Sequence, residues 1–162
     1  VKFLFHSTNY TVSPDVTDED LDHHQTIVAQ ASLYYASIKS KGYCTAIIGQ
    51  DSELFYSHSE SDRRKAASKY CSRCPVAKEC LLYAFASREE YGVWGGTLEA
   101  TRIILLRKAA RKAGVPYSSV LTKSFWAEIV NIIDTFFSSP RINYSTKGRI
   151  LKKSRVNPMY RP

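Results

Sequence analysis

The stretch from Cys71 to Gly96, CSRCPVAKECLLYAFASREEYGVWGG, limits what this chain can fold into more than any other. It carries three of the four cysteines, Cys71, Cys74 and Cys80, and closes on the turn Gly92-Val93-Trp94-Gly95-Gly96. The fourth thiol, Cys44, lies upstream, so the spacing is C-x26-C-x2-C-x5-C. Two cysteines three apart reach one metal centre from a tight turn. Cys80 can return to that centre from a helix whose first residue is Pro75, because proline's missing amide costs nothing there. The N-terminal amides of such a helix would face the sulfurs, lower the thiol pKa and stabilise a thiolate-ligated centre.

Three readings of the cysteines compete. An iron–sulfur cluster accepts an irregular set of four, since each thiolate addresses a different iron. Structural zinc ordinarily uses two short knuckles or a knuckle and a His pair, and only one knuckle is present. Disulfide pairing is disfavoured in a reducing compartment but accessible once a metal centre is lost. Spacing alone leaves cluster and zinc open. It also leaves a thiol–disulfide reductase built on Cys71 and Cys74, although no thioredoxin-like βαβ pattern accompanies them.

The flanking sequence reads as helix throughout, so the expected fold is all-α. Thr17 precedes an acidic first turn (Asp18, Glu19, Asp20) and can cap a helix that ends at Gly42. Leu21, Ile27, Val28, Ala31, Tyr34, Tyr35 and Ile38 share one face of it. His23 and His24 lie in this helix and read as surface or rim residues, not ligands. A helix is expected from about Ser61 to Tyr70, and another from Pro75 to about Ser87. Thr97 is placed to cap a helix to about Ala113, closed by Gly114. A last amphipathic helix fits 119–137, its apolar face running from Leu121 through Trp126 and Ile133 to Phe137. Such a helix can complete a core or bind a second protein. Residues 141–162 read as a basic flexible tail. The chain divides at 1–42, 43–114, 115–140 and 141–162.

Charge is uneven. Residues 1–60 hold eight acids and three bases, whereas residues 61–162 hold seven acids and twenty bases. A basic second half points to a polyanionic partner. In the helix 97–113, Arg107, Lys108, Arg111 and Lys112 share one face, with Leu98, Ile103, Leu105, Leu106 and Ala109 on the other. Lys147, Arg149, Lys152, Lys153 and Arg155 extend the basic character into the tail. Both sets are candidate DNA contacts. No apolar run approaches the ~18 residues of a membrane span, and the initial VKFLF is too short for a signal-peptide core. A cytoplasmic location with reduced thiols is the expectation, with no membrane partner.

Cys71-Ser72-Arg73-Cys74-Pro75-Val76, Cys80-Leu81 and Gly92-Val93-Trp94-Gly95-Gly96, taken together at these distances, resemble the WhiB-like (Wbl) proteins of actinobacteria and their phages. The resemblance runs from about Cys44 to Gly114. Asp51-Ser52-Glu53-Leu54-Phe55-Tyr56 is similar to the family's acidic-aromatic segment, and Arg102 to Lys112 to its DNA-contacting region. It implies a non-enzymatic transcription regulator with a 4Fe-4S cluster on Cys44, Cys71, Cys74 and Cys80. The small helical domain would be built around that cluster, with an added N-terminal helix and a basic C-terminal extension. It implies docking on region 4 of a primary sigma factor in RNA polymerase holoenzyme, next to promoter DNA. The contact would involve Gly92, Val93, Trp94, Gly95 and Gly96 with Phe55 and Tyr56. It also implies a response to oxygen or nitric oxide. Two positions depart from the family pattern. No Trp precedes Cys44, where Ile38 stands at roughly that place, and Ser57 follows Phe55-Tyr56 where the family usually has Pro. The alternatives to this reading are an apo-form thiol–disulfide reductase and a zinc-stapled DNA-binding module.

Overall fold

The computed structural model describes residue 10, residues 12–47 and residues 50–138. Within them the chain forms α1 (Asp18–Lys41), α2 (Glu60–Tyr70), α3 (Ala77–Ala86), α4 (Glu99–Ala113) and α5 (Lys123–Ser138). Short 3-10 turns occupy Tyr43–Ala46, Gln50–Tyr56 and Cys71–Arg73. No strand occurs among the described residues; Trp94 and Thr97 make an isolated antiparallel bridge.

Local chemistry explains the boundaries. A capping box starts α1: Thr17 Oγ1 accepts from the Asp20 amide at 3.2 Å, and Asp20 Oδ2 accepts from the Thr17 amide at 3.3 Å. Ser59 caps α2 by accepting from the Asp62 amide. Pro75 is not the first residue of α3. It sits with Val76 in a turn, and Cys74 O accepts from Ala77 N at 3.3 Å before the helix begins. Nor does Thr97 cap α4. Its hydroxyl donates to Trp94 O at 2.7 Å and its backbone pairs with Trp94, so Leu98 precedes the helix without a side-chain cap. The last helix starts later than its apolar pattern indicates. Thr122 caps it through Phe125 N at 3.2 Å, and residues 119–122 run into it as buried, non-helical chain.

The helices α1, α3, α4 and α5 share one hydrophobic core. α1 supplies Ile27 and Ala31, α3 supplies Leu81, Leu82 and Phe85, α4 supplies Leu105, Leu106 and Ala109, and α5 supplies Phe125, Trp126, Ile129 and Ile133. Of the two roles open to the last amphipathic helix, the core takes its apolar face. His23 and His24 sit at the rim and are half-buried, and both bind the backbone of Leu121: His23 Nδ1 lies 3.1 Å from its carbonyl, and its amide donates to His24 Nδ1 at 3.1 Å. Ile103 and Tyr35, expected on apolar faces, are each 43% exposed.

A second, smaller cluster lies beside this core: Phe55, Ala66, Ala67 and Val93, with Cys44, Ile47, Leu54, Tyr70 and Cys71 against it. So few apolar residues bury little area, and a cofactor would add the stabilisation that this half lacks.

Candidate metal centre

Three separate pieces of chain bring the four cysteines together. Cys44 comes from the 3-10 turn after α1, Cys71 and Cys74 from the turn between α2 and α3, and Cys80 from α3 itself. All four line one small cavity walled by Ile38, Phe55, Val76, Ala77 and Val93. None is in a disulfide. Among the described residues no three His, Cys, Asp or Glu side chains converge closely enough to hold a single metal ion. Four thiols around one cavity match in number what a cluster that offers each sulfur its own iron would need.

The electrostatics differ from the sequence expectation. Burial pushes the Cys80 thiol up to about 12, against a lowering pull from the Gly95 amide. Burial also raises the Cys71 thiol well above its ordinary range, reinforced by Cys80 and Cys44 and opposed by the Gly96 amide. The Cys44 thiol is raised by burial, then by Cys74. The amides found on these sulfurs come from Gly95, Gly96 and the Cys44–Thr45 backbone, not from the start of α3, and desolvation outweighs them. Thiols in so dry a site become thiolates when a metal group supplies the compensating charge. In this sense the donor set fits an iron–sulfur cluster.

The turn 92–96 covers the cavity. Gly95 N donates to Cys80 Sγ at 3.2 Å. Only glycine fits there: its φ is +56°, and a Cβ would meet Ala77 O at 2.4 Å. Within the turn Gly92, Val93, Gly95 and Gly96 are buried and Trp94 is partly exposed. The two adjacent aromatics divide as their neighbourhood in sequence requires. Phe55 is 6% exposed and lines the cysteine cavity, whereas Tyr56 is 53% exposed and meets Trp94 edge-on at 6.4 Å between centroids. Phe55 and the buried turn residues thus lie beneath the surface, while Trp94 and Tyr56 reach solvent. Tyr83 lies 5.2 Å from Trp94, and Tyr35 lies 5.2 Å from Tyr83, so one ring-to-ring strip crosses from α1 to the turn.

The family model described as transcription factor WhiB matches residues 39–105. The transcriptional regulator WhiD of Streptomyces coelicolor is 44% identical over 71 residues, 40% of this chain and 62% of that protein. The redox-responsive transcriptional regulator WhiB3 of Mycolicibacterium smegmatis is 35% identical over 80 residues, 45% of this chain and 79% of that protein. This chain belongs to the WhiB family. The transcriptional regulator WhiB1 of Mycobacterium tuberculosis is 41% identical over 66 residues, 38% of this chain and 79% of that protein. No solved structure matches. The WhiB match contains all four cysteines and the turn, but it ends within α4 and takes in neither most of α1 nor α5.

That end point matters for the basic face, which lies beyond it. Arg107, Arg111 and Lys112 are exposed and Lys108 is half-buried. Arg107 stacks on Tyr117 at 5.1 Å, and Lys112 lies 3.5 Å from Glu128 of α5. Lys147, Arg149, Lys152, Lys153 and Arg155 lie outside the described residues.

Three charged residues not expected there from the sequence hold the turn. Arg63 of α2 is buried and reaches Glu99 at 3.4 Å. Glu99 accepts from Gly92 N at 2.8 Å. Arg102, grouped from sequence with the DNA-contacting region, is 4% exposed and donates to Glu89 O, Gly92 O and Thr97 O. A signal for Arg102 did exist. It stands on the apolar stripe Leu98, Leu105, Ala109 at helical spacing, where a charge needs a buried partner.

Proposed function

We propose that this WhiB-family transcriptional regulator holds a 4Fe-4S cluster on Cys44, Cys71, Cys74 and Cys80 and docks on region 4 of a primary sigma factor. The observation that carries this reading is the two-sided turn 92–96: its Gly95 amide bonds the Cys80 sulfur, and its Trp94 ring stands at the surface beside Tyr56. When bound, the cluster supplies iron chemistry open to oxygen, nitric oxide and electron transfer. The chain's own residues do the rest. Ile38, Phe55, Val76 and Val93 keep water from the sulfurs, Gly95 and Gly96 hydrogen-bond two of them, and Trp94 and Tyr56 offer rigid aromatic anchors to sigma.

The exposed face of α4, Arg107, Arg111 and Lys112 with half-buried Lys108, meets promoter phosphates near the −35 element while sigma holds the chain in place. Loss of the cluster would loosen the turn and be felt at Trp94 directly. That link makes the complex responsive to redox state, the property named for the WhiB3 relative. Two other readings have less support. A reductase needs an accessible low-pKa thiol, but the Cys71 thiol is raised by burial. A structural zinc ordinarily takes two short knuckles or a knuckle and a His pair, and only the Cys71–Cys74 knuckle is present. No described helix is long and apolar enough to cross a membrane.

The test is an anaerobic pull-down of sigma region 4 by the full chain, with iron, sulfide and zinc measured on the same sample. Capture with about four irons and four sulfides per chain, lost on chelation of the iron, is the expected result. Zinc without sulfide, or capture indifferent to the metal, would overturn it.

A further inference from the structure

We propose that Arg102 is a positioning residue for the cysteine centre: its buried guanidinium ties the two ends of the 92–97 turn together, and so sets the amide-to-sulfur hydrogen bonds and supplies a buried positive charge beside them. The inference rests on the cysteines holding an iron–sulfur cluster.

The geometry is that of a brace. Nη1 donates to Gly92 O at 2.9 Å and to Thr97 O at 2.9 Å, and Nε donates to Glu89 O at 3.2 Å. The turn between Gly92 and Thr97 is thus closed at both ends by one planar group. Inside it lie Gly95 and Gly96, whose amides reach Cys80 and Cys71. Glu99, one helical turn before Arg102, takes the Gly92 amide, so α4 holds both polar groups of that peptide-flanking residue.

Burial of a cation is costly unless the site needs it. Burial draws the Arg102 pKa down to about 10, and Glu99, Glu89 and the Cys80 sulfur oppose that pull, so the group stays charged near neutral pH. Its Nη2 is buried without a hydrogen-bond partner. No other base lies on the buried face of α4. Hydrogen bonds to the sulfurs and local net charge are the protein's main means of setting an iron–sulfur potential. Arg102 acts on both without touching a ligand.

The test compares wild type, R102Q, R102K and the exposed-charge control K123Q, each as the full chain purified anaerobically. Iron and sulfide content, the midpoint potential in a reductive titration and the bleaching rate in air are read. R102Q removes the charge, which disfavours the more negative reduced state, so its midpoint falls below wild type and it bleaches about tenfold faster. R102K keeps the charge but loses the planar fork, whose Nε reaches Glu89 O while Nη1 reaches Gly92 O and Thr97 O. It holds the wild-type midpoint and bleaches faster. K123Q matches wild type in both.

An R102Q midpoint equal to wild type overturns the proposal even if bleaching is faster, since that is ordinary loss of stability. If R102Q does not fold, R102K decides: faster bleaching at the wild-type midpoint supports the brace, and wild-type bleaching overturns it. A wild-type chain without iron and sulfide overturns the cluster reading beneath it, a result distinct from either.

Discussion

The amide of Gly95 donates to the sulfur of Cys80 at 3.2 Å across fifteen residues of chain. This bond joins α3 to the turn that carries Trp94. It makes the two halves of the Cys71–Gly96 stretch mechanically one, which their separation in sequence does not require.

Gly95→Ala should therefore damage the centre without touching a ligand. The new Cβ would meet Ala77 O at 2.4 Å and Leu81 Cβ at 2.8 Å, in a backbone with φ of +56°. Strain of this kind costs on the order of 1–3 kcal/mol. A lower melting temperature with reduced iron per chain is the expected outcome. Full iron content at the wild-type melting temperature would show that the turn is free to move away.

Trp94→Ala should separate partner binding from cofactor binding. The ring is partly exposed, and its indole N–H donates to Tyr91 O at 2.9 Å, so its removal leaves the sulfur contacts in place. Sigma affinity should fall by at least about 2 kcal/mol, roughly thirtyfold, as for an aromatic hot spot. Iron content should hold. Calorimetry with region 4 measures the affinity, and the visible absorbance of the same sample reports the cluster; an unchanged affinity would remove Trp94 from the interface.

Neutralising Arg107, Lys108, Arg111 and Lys112 together should weaken promoter binding by the sigma complex and flatten its salt dependence. Each lost phosphate contact lowers the slope of log K against log salt by about 0.9. Lys112 also lies 3.5 Å from half-buried Glu128, but Lys112 itself is exposed, so the pair adds little stability. The fold should therefore survive, which a melting curve checks alongside the salt titration. An unchanged slope would assign DNA attachment to sigma or to the basic residues after 138.

Acid should loosen the contact between α1 and the chain entering α5. The Leu121 amide donates to His24 Nδ1, which must be unprotonated to accept. Burial holds the His24 pKa below its ordinary 6.5, with smaller contributions from Arg88 and His23. Because the folded value is depressed, the unfolded chain takes up the proton first. Stability is fully present above pH ~6.5 and falls as the pH drops toward the folded pKa. Urea midpoints measured from pH 8 to pH 5 should decline in wild type, and less steeply in His24→Gln. Parallel slopes would assign the acid sensitivity to other groups.

Much of the centre was legible along the chain. The cysteine spacing, the Cys-Pro-Val knuckle and the Gly-Val-Trp-Gly-Gly turn are short-range patterns, and short range is where sequence speaks most directly. The helices α1 and α2 were legible for the same reason, since caps and acidic first turns are local. The misplaced starts of α3 and α4 have a common cause. Pro75 and Thr97 carry helix-start chemistry, but both are used to shape the turns before the helix. Tertiary demand overrode a local preference at each.

What the sequence determined by itself was the candidate set of four cysteines, the all-helical character and the family, because residue type, spacing and helical periodicity are written along the chain. Only the tertiary structure decided which of Phe55 and Tyr56 faces the sulfurs, that α5 fills the core, and that Arg102 belongs to the turn and not to the DNA face. Each of those depends on which distant segment lies opposite. A buried charge is stable only beside the particular carbonyls that receive it, and for Arg102 those carbonyls arrive from residues 89, 92 and 97 once the chain has folded back on itself.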